Sequence, residues 1–273
     1  MKSLSQSTLR RWGPWLALVV LFSIATSLLS WWQFNRRAER VEKIDTVIEN
    51  YDSALASLDQ VPWIFSESGE PANEWRPVEI SGTYIIEEAV LVRNRPLNGQ
   101  SGFVQLVPFK LDDGQVLMVE RGWLPTGQEF TEPQSNPMPS AGPHSLIVRL
   151  RASEADLQRD PVPGQLASIH PENLSDALIG AGPLILDYYG RLAAESPGYS
   201  EAPMPMPKPS LNEGNHLSYA FQWIIFGIMA FVAFGWAFRN ERRIQKELLG
   251  EREPRKPKNT QALQDAVFED ANQ

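Results

Sequence analysis

Leu217–Phe238 reads LSYAFQWIIFGIMAFVAFGWAF, 22 residues without a charge and with a single amide, Gln222. Crossing the hydrocarbon core of a bilayer takes about 20 helical residues, so this stretch predicts a membrane-spanning helix. A histidine stands at its mouth, in Asn215-His216-Leu217-Ser218-Tyr219-Ala220. An ionisable group at a span boundary is a candidate functional residue.

A second uncharged run, Trp12–Phe34, lies at the other end of the chain. A cleaved signal peptide is the competing reading, with Lys2, Arg10 and Arg11 as its basic leader. The run is too long for that, and Trp31 and Trp32 stand where a small-x-small cleavage site belongs. Interfacial tryptophans fit the end of a permanent span instead. The chain therefore divides into residues 1–11, a span at 12–34, a domain at 35–215, a span at 216–238 and a tail at 239–273. Arg239, Arg242, Arg243 and Lys246 follow the second span, and only Lys208 lies close before it. The positive-inside rule then puts the C-terminus in the cytoplasm, and two spans put both termini there and the central domain outside. The expected location is a bacterial inner membrane, crossed twice, with a periplasmic domain.

Charge is partitioned along the 273 residues. The segment 35–215 carries 14 Lys/Arg against 26 Asp/Glu, a net of −12. So acidic a domain does not suggest nucleic acid. There is no cysteine, which excludes disulfides and thiolate chemistry. Arg36–Leu58 predicts a helix with an apolar stripe of Val41, Ile44, Ile48, Leu55 and Leu58. Short strands are predicted at Val78–Tyr84, Ala89–Val92, Phe103–Phe109, Val116–Glu120, Ser145–Leu150 and Leu184–Tyr189, with turns at Asn98-Gly99 and Asp112-Asp113-Gly114. A short helix at Pro171–Ile179 and a stiff proline-rich connector at Ala202–Ser210 complete the pattern. The fold class is thus two transmembrane helices flanking an α+β, mainly antiparallel β domain, as a sheet or a small barrel. The tail beyond Arg239 reads as a charged helix that gives way to a polar, disordered end.

Four motifs could carry chemistry, and each has a structural alternative. Arg93-Asn94-Arg95-Pro96-Leu97-Asn98-Gly99-Gln100-Ser101-Gly102-Phe103 puts Arg93 and Arg95 on one face if extended. They could grip carboxylates, such as cofactor propionates or a partner's acidic patch. The alternative is an internal ion pair. In Glu120-Arg121-Gly122-Trp123-Leu124-Pro125, Arg121 and Trp123 share a strand face and could stack; the alternative is a core tryptophan beside a structural arginine. His216 could be an axial ligand to a haem iron, or an interfacial histidine bonded to headgroups or Asn215. His144 and His170 sit in loop-like, solvated stretches, and Met204-Pro205-Met206 is too thin a set for copper. No hydrolase, metalloprotease or nucleotide-binding signature occurs, so an enzyme is not expected.

The ordered set of motifs resembles one family, the surfeit locus protein one family of assembly factors for haem–copper cytochrome c oxidase. Trp32-Gln33 with Arg36 resembles its signature after the first span. Gly82-x-Tyr84, Arg93-Asn94-Arg95-Pro96, Asn98-Gly99, Gly102-Phe103 and Pro108-Phe109 resemble its central block. Arg121-Gly122-Trp123-x-Pro125 and Asn215-His216-Leu217-x-Tyr219-Ala220-x-Gln222-Trp223 resemble its remaining two. Ser30 stands where many members have glycine, as does Arg149. The resemblance implies a non-enzymatic membrane chaperone that transiently holds haem a, with His216 as the iron ligand. Arg93, Arg95, Arg121 and Trp123 are then candidate cofactor-binding residues. The implied partners are oxidase subunit one, with haem a synthase as a second candidate, in the lipid bilayer. Gly227, Ala230, Ala233 and Gly235 would let the spans approach the client's helices. The alternative is a cofactor-free scaffold that stabilises an oxidase assembly intermediate.

Overall fold

The computed structural model describes residues 6–65, 71–129, 131–159 and 162–250, and resolves into two compact units, Met1–Ala38 with Gly214–Gln273, and Glu39–Glu213. The expected polar end of the tail lies outside the described residues.

The first unit is a pair of helices. One is the leading part of α1 (Gln6–Asn50), the other α2 (His216–Leu248). They run antiparallel. Trp12 meets Phe234 and Phe238 edge-on at 5.5 and 5.3 Å, and Phe34 meets Phe221 at 6.0 Å. Between these ends the contact is made by small polar residues. Ser23 Oγ donates to the Gly227 carbonyl at 3.5 Å, and Ser30 Oγ donates to the Ala220 carbonyl at 3.0 Å. A Cβ on Gly227 would come within 3.0 Å of Thr26 Oγ1. Small residues of this kind let helix backbones approach where no hydrophobic drive exists between them. Only 11% of each apolar window is buried, so the large side chains point outward, among them Leu21, Trp31, Val232 and Trp236. A helix that is apolar all round and unburied belongs in lipid, and both are long enough to span it. Gly227 is occupied by this internal packing, so of the four small residues expected to meet a client it is not available; Gly235 has open space around it.

The second unit is built on a closed five-stranded barrel. Its strands are β2 (Pro77–Tyr84), β4 (Gly102–Leu111), β5 (Val116–Pro125), β6 (Pro143–Ala152) and β8 (Tyr188–Ser196). The ring runs β2–β6–β8–β5–β4 and returns to β2; every pairing is antiparallel except β5 with β8. Closure rests on three pairs, Gly82↔Leu111, Thr83↔Lys110 and Tyr84↔Phe109. The strands cross so closely there that a Cβ on Gly82 would lie 2.0 Å from the Lys110 carbonyl oxygen. Three short strands are added outside: β1 (Ala56–Ser57) beside β2, then β3 (Val90–Val92) beside β4, and β7 (Gln165–Leu166) beside β3.

Alternation along the strands produces two cores. Val78, Ile80, Val107, Phe109, Leu117, Val119, Leu146, Val148, Leu150 and Tyr188 fill the barrel. Val92, Val104, Leu106, Val116, Met118, Trp123 and Tyr189 face outward and are covered by Ile169, Leu174 and Leu178. Each Val or Leu fully withdrawn from water contributes about 1.5–3 kcal/mol of transfer free energy.

Three local expectations are corrected. The predicted helix 36–58 is not a separate element: α1 is continuous from the first span and stops at Asn50. Asn50 is buried and its Nδ2 donates to the Ala72 and Glu74 carbonyls at 2.8 and 2.9 Å. The buried stripe is Ile44 and Val47, while Ile48 and Leu55 are exposed. The predicted strand 184–189 is displaced to β8, because Leu184 makes only one bridge, to Val116, before the chain turns. The predicted helix 171–179 is a single 3-10 turn, Pro171–Leu174, followed by turns.

Candidate functional site

His216 is the first residue of α2, and its Nδ1 lies 2.8 Å from Gln33 Oε1 on α1. An amide oxygen only accepts, so Nδ1 carries the proton and donates. In the neutral imidazole the lone pair then sits on Nε2, which makes no hydrogen bond among the described residues. The pair continues the row of contacts that Ser23, Thr26 and Ser30 make with α2. Metal-binding histidines are held in this same way, through the ring nitrogen that does not bind the metal. Gln33 was not singled out as a site residue. Its signal was available, as an amide at the end of an apolar run beside two tryptophans.

The arginine motifs lie in the second unit. Arg93 and Arg95 do not share an extended face: β3 ends at Val92, and Asn94 takes a left-handed φ of 59°. Arg95 turns to Glu154 and grips its carboxylate with both terminal nitrogens, Nη1 to Oε1 at 2.8 Å and Nη2 to Oε2. Glu154 also accepts the Ile169 N–H at 2.9 Å. Burial opposes the charged carboxylate, but the Arg95 bonds and the Ile169 N–H prevail and hold it below the usual range. Arg93 and Arg95, with Phe103 and Glu132, line an open cavity of about 850 Å³.

Arg121 and Trp123 part company. The pairing of β4 with β5 slips so that Gln105 faces Gly122 and Leu106 faces Glu120, leaving Arg121 as the extra residue of a bulge. Gly122 has φ 152°, and a Cβ there would lie 2.6 Å from the Met204 carbonyl oxygen. The bulge resets the alternation. Trp123 joins the outer core and donates from Nε1 to the Arg95 carbonyl at 2.6 Å. Arg121 turns to the end of the barrel, 5.5 Å from the Tyr84 ring and 5.4 Å from that of Tyr199. Its side chain is fully buried. It donates to Gln105 Oε1 at 2.6 Å, to the Pro137 carbonyl at 3.1 Å and to Glu195 Oε1 at 3.0 Å. Glu195 also accepts the Tyr84 hydroxyl at 3.2 Å. Burial, and then the Glu195 carboxylate, push the Tyr84 phenol far above its ordinary value. A second buried pair, Glu120 with Arg191 at 2.9 Å, lies one residue away. Burial, then Glu120, pushes the Tyr189 phenol up to about 12.

His144 is not solvated as its sequence context suggested. It is 3% exposed, with Nδ1 2.8 Å from the Gly142 carbonyl and Nε2 bonded to the Tyr199 hydroxyl. The sequence reading missed Gln105, Glu154, Glu195 and Tyr199 because the side chains they bind lie 16 to 111 residues away. The connector pairs with the barrel: Met204 exchanges backbone hydrogen bonds with Trp123 at 2.8 and 2.7 Å, and Met206 packs on the outer core. Among the described residues no three His, Asp or Glu converge as a metal cluster.

These features coincide with relatedness over most of the chain. Uncharacterized SURF1-like proteins of Mycobacterium bovis and Mycobacterium tuberculosis are each 29% identical over 253 residues, covering 89% of this chain and 90% of theirs. A SURF1-like protein of Rickettsia bellii is 26% identical over 220 residues, covering 78% of this chain and 85% of its own. The model of the SURF1 family matches residues 20–228, a range that takes in Gln33, the whole barrel and His216. With that span of agreement between two apolar helices, the chain belongs to the SURF1 family.

Proposed function

We propose that the protein is a membrane-bound assembly factor for haem–copper cytochrome c oxidase that holds haem a at His216 and assists its insertion into subunit one. The observation that carries this reading is the imidazole tethered to Gln33 through Nδ1, with Nε2 left to act as a ligand. Haem a would supply an iron to which the neutral imidazole of His216 could bind. Gln33 keeps the proton on Nδ1 and limits rotation of the ring, so the imidazole is ready without reorganisation. Family membership and the paired spans support the assembly role. In this reading both termini are cytoplasmic, the barrel domain is periplasmic, subunit one and haem a synthase are the partners, and no reaction is catalysed.

A cofactor-free scaffold is the second reading. It is favoured by the arginines of the domain: Arg95 and Arg121 are spent on Glu154 and Glu195 inside the fold. The deciding experiment is the absorption spectrum of the full chain purified from cells that also make haem a, beside His216→Ala. A haem a band lost or shifted in the variant supports the ligand role. No band in either protein leaves the scaffold. A band unchanged in the variant refutes His216 as the ligand.

A further inference from the structure

Within the acidic second unit, one cavity of about 340 Å³ is lined by cations. Arg40, Lys43, Arg151 and Glu74 line it together with Trp75, Ser210 and apolar side chains of α1 and the connector. Arg151 lies flat over the Trp75 ring at 3.9 Å, which fixes its guanidinium. Its Nε–H is shut off from solvent and makes no hydrogen bond; the nearest carboxylate oxygen, Glu74 Oε1, is 3.4 Å away. That oxygen already accepts the Ala152 N–H at 3.1 Å. Arg40 is held by the connector, with Nε donating to the Asn212 carbonyl and Nη2 to the Ser210 carbonyl, both at 3.2 Å. Its Nη1 makes no hydrogen bond among the described residues, and Lys43 makes no ion pair among them. The Arg151 Nε–H is engaged only by the loose ion pair with Glu74 and is closed to a ligand, so Arg151 meets the cavity through the charge of its terminal nitrogens.

We infer that this cavity binds a phosphate group. Three separate cationic donors, one of them a lysine point charge, suit a tetrahedral oxyanion with several acceptor oxygens. They suit a planar carboxylate less well, because the Arg40 fork is already spent on two carbonyls. The volume lies at the small end of ligand pockets and accommodates a phosphate with a glycerol-sized substituent. Arg40 and Lys43 follow Phe34, the end of the uncharged run, by six and nine positions on the same helix. A phosphodiester headgroup and inorganic phosphate present the same tetrahedral oxyanion to these donors. The headgroup of an anionic phospholipid and free phosphate are therefore the two sources of the same chemistry.

The test is calorimetric titration of the full chain, delipidated in dodecyl maltoside, with three probes: sodium phosphate, dihexanoyl phosphatidylglycerol and its phosphatidylcholine counterpart. The expected result is saturable binding that Lys43→Glu weakens at least about tenfold. Lys43 is exposed, so the variant leaves the core intact. Arg151→Lys keeps the charge and loses the stacked donor, and is expected to weaken binding as well. Preference for phosphatidylglycerol over phosphatidylcholine, with phosphate competing, assigns the site to a headgroup. Binding of phosphate with no preference between the lipids assigns it to the free anion. No saturable binding of any probe overturns the inference. So does a loss of equal size in Lys110→Glu, an exposed charge remote from the cavity in sequence and on β4.

Discussion

Replacing Glu154 by Gln isolates the interaction that closes the arginine motif. The substitution keeps the shape, removes the charge and leaves Arg95 with one neutral acceptor in place of a bidentate carboxylate. A hydrogen bond to a charged group contributes about 1.5–3 kcal/mol, and stripping one partner from a buried pair costs about 3–5 kcal/mol. The two side chains here are 27% and 29% exposed, so screening by solvent brings the expected loss to about 2 kcal/mol. For a unit of this size that lowers Tm by about 4–8 °C. Differential scanning fluorimetry of the full chain in detergent measures it. The Trp123 indole bonded to the Arg95 carbonyl supplies an intrinsic signal. The cycle Glu154→Gln, Arg95→Gln and the double variant then separates the pair from its surroundings. The pH dependence has a fixed sign. A carboxylate held below its unfolded value of about 4.3 stabilises the fold above that pH, and the contribution is lost as pH falls through the lower folded value. The difference between wild type and Glu154→Gln should therefore be full at pH 7 and shrink below pH 4. A loss under about 0.5 kcal/mol, or a difference that does not change with acid, refutes the assignment.

Gly82→Ala puts a methyl group 2.0 Å from the Lys110 carbonyl oxygen and should cost more than about 3 kcal/mol, read as loss of folded protein on expression. Arg121→Leu leaves Glu195 buried without its cation and should destabilise by about 3–5 kcal/mol, more than Lys110→Ala on the exposed face, by thermal unfolding. Ser30→Cys with Ala220→Cys should cross-link under mild oxidant in a chain that has no other cysteine, detected as a mobility shift; failure to cross-link refutes the packing of the spans. Gln33→Leu should weaken any haem a band and shift its pH dependence, while Gln33→Glu, which still accepts from Nδ1, should restore it; equal behaviour of the two refutes positioning through the hydrogen bond.

The spans and most of the barrel strands were legible because their signals are local. Twenty-two uncharged residues or a run such as Val-Leu-Met-Val carries its own reading. β8 was misplaced because its second half is half-exposed and alternates poorly, so apolar content pointed instead to Leu184–Ile185, which lead into the strand. The shared face expected of Arg121 and Trp123 failed for one physical reason: period-two reasoning assumes an unbroken ladder, and a bulge at Arg121 shifts everything after it. Gly122 was the visible hint. His144 sits among turn residues in sequence, and only tertiary pairing brings Tyr199 to it. Histidine at the mouth of the second span was legible as a candidate; its glutamine partner belongs to the other helix, and no one-dimensional pattern joins residues 183 positions apart.

The place of β8 in the ring sets an order of assembly. Before Tyr188–Ser196 is synthesised, β6, β2, β4 and β5 can pair only as an open four-stranded sheet, with β5 and β6 as its two raw edges. Those edges are templates for pairing with other chains. β8 then enters as a keystone, antiparallel to β6 and parallel to β5. It also delivers the missing countercharges, since Arg191 neutralises Glu120 and Glu195 neutralises Arg121. A nascent chain short of residue 188 thus lacks the ion-pair partners of both Glu120 and Arg121. Closure of the ring and pairing of the Glu120 and Arg121 charges are completed by one and the same strand.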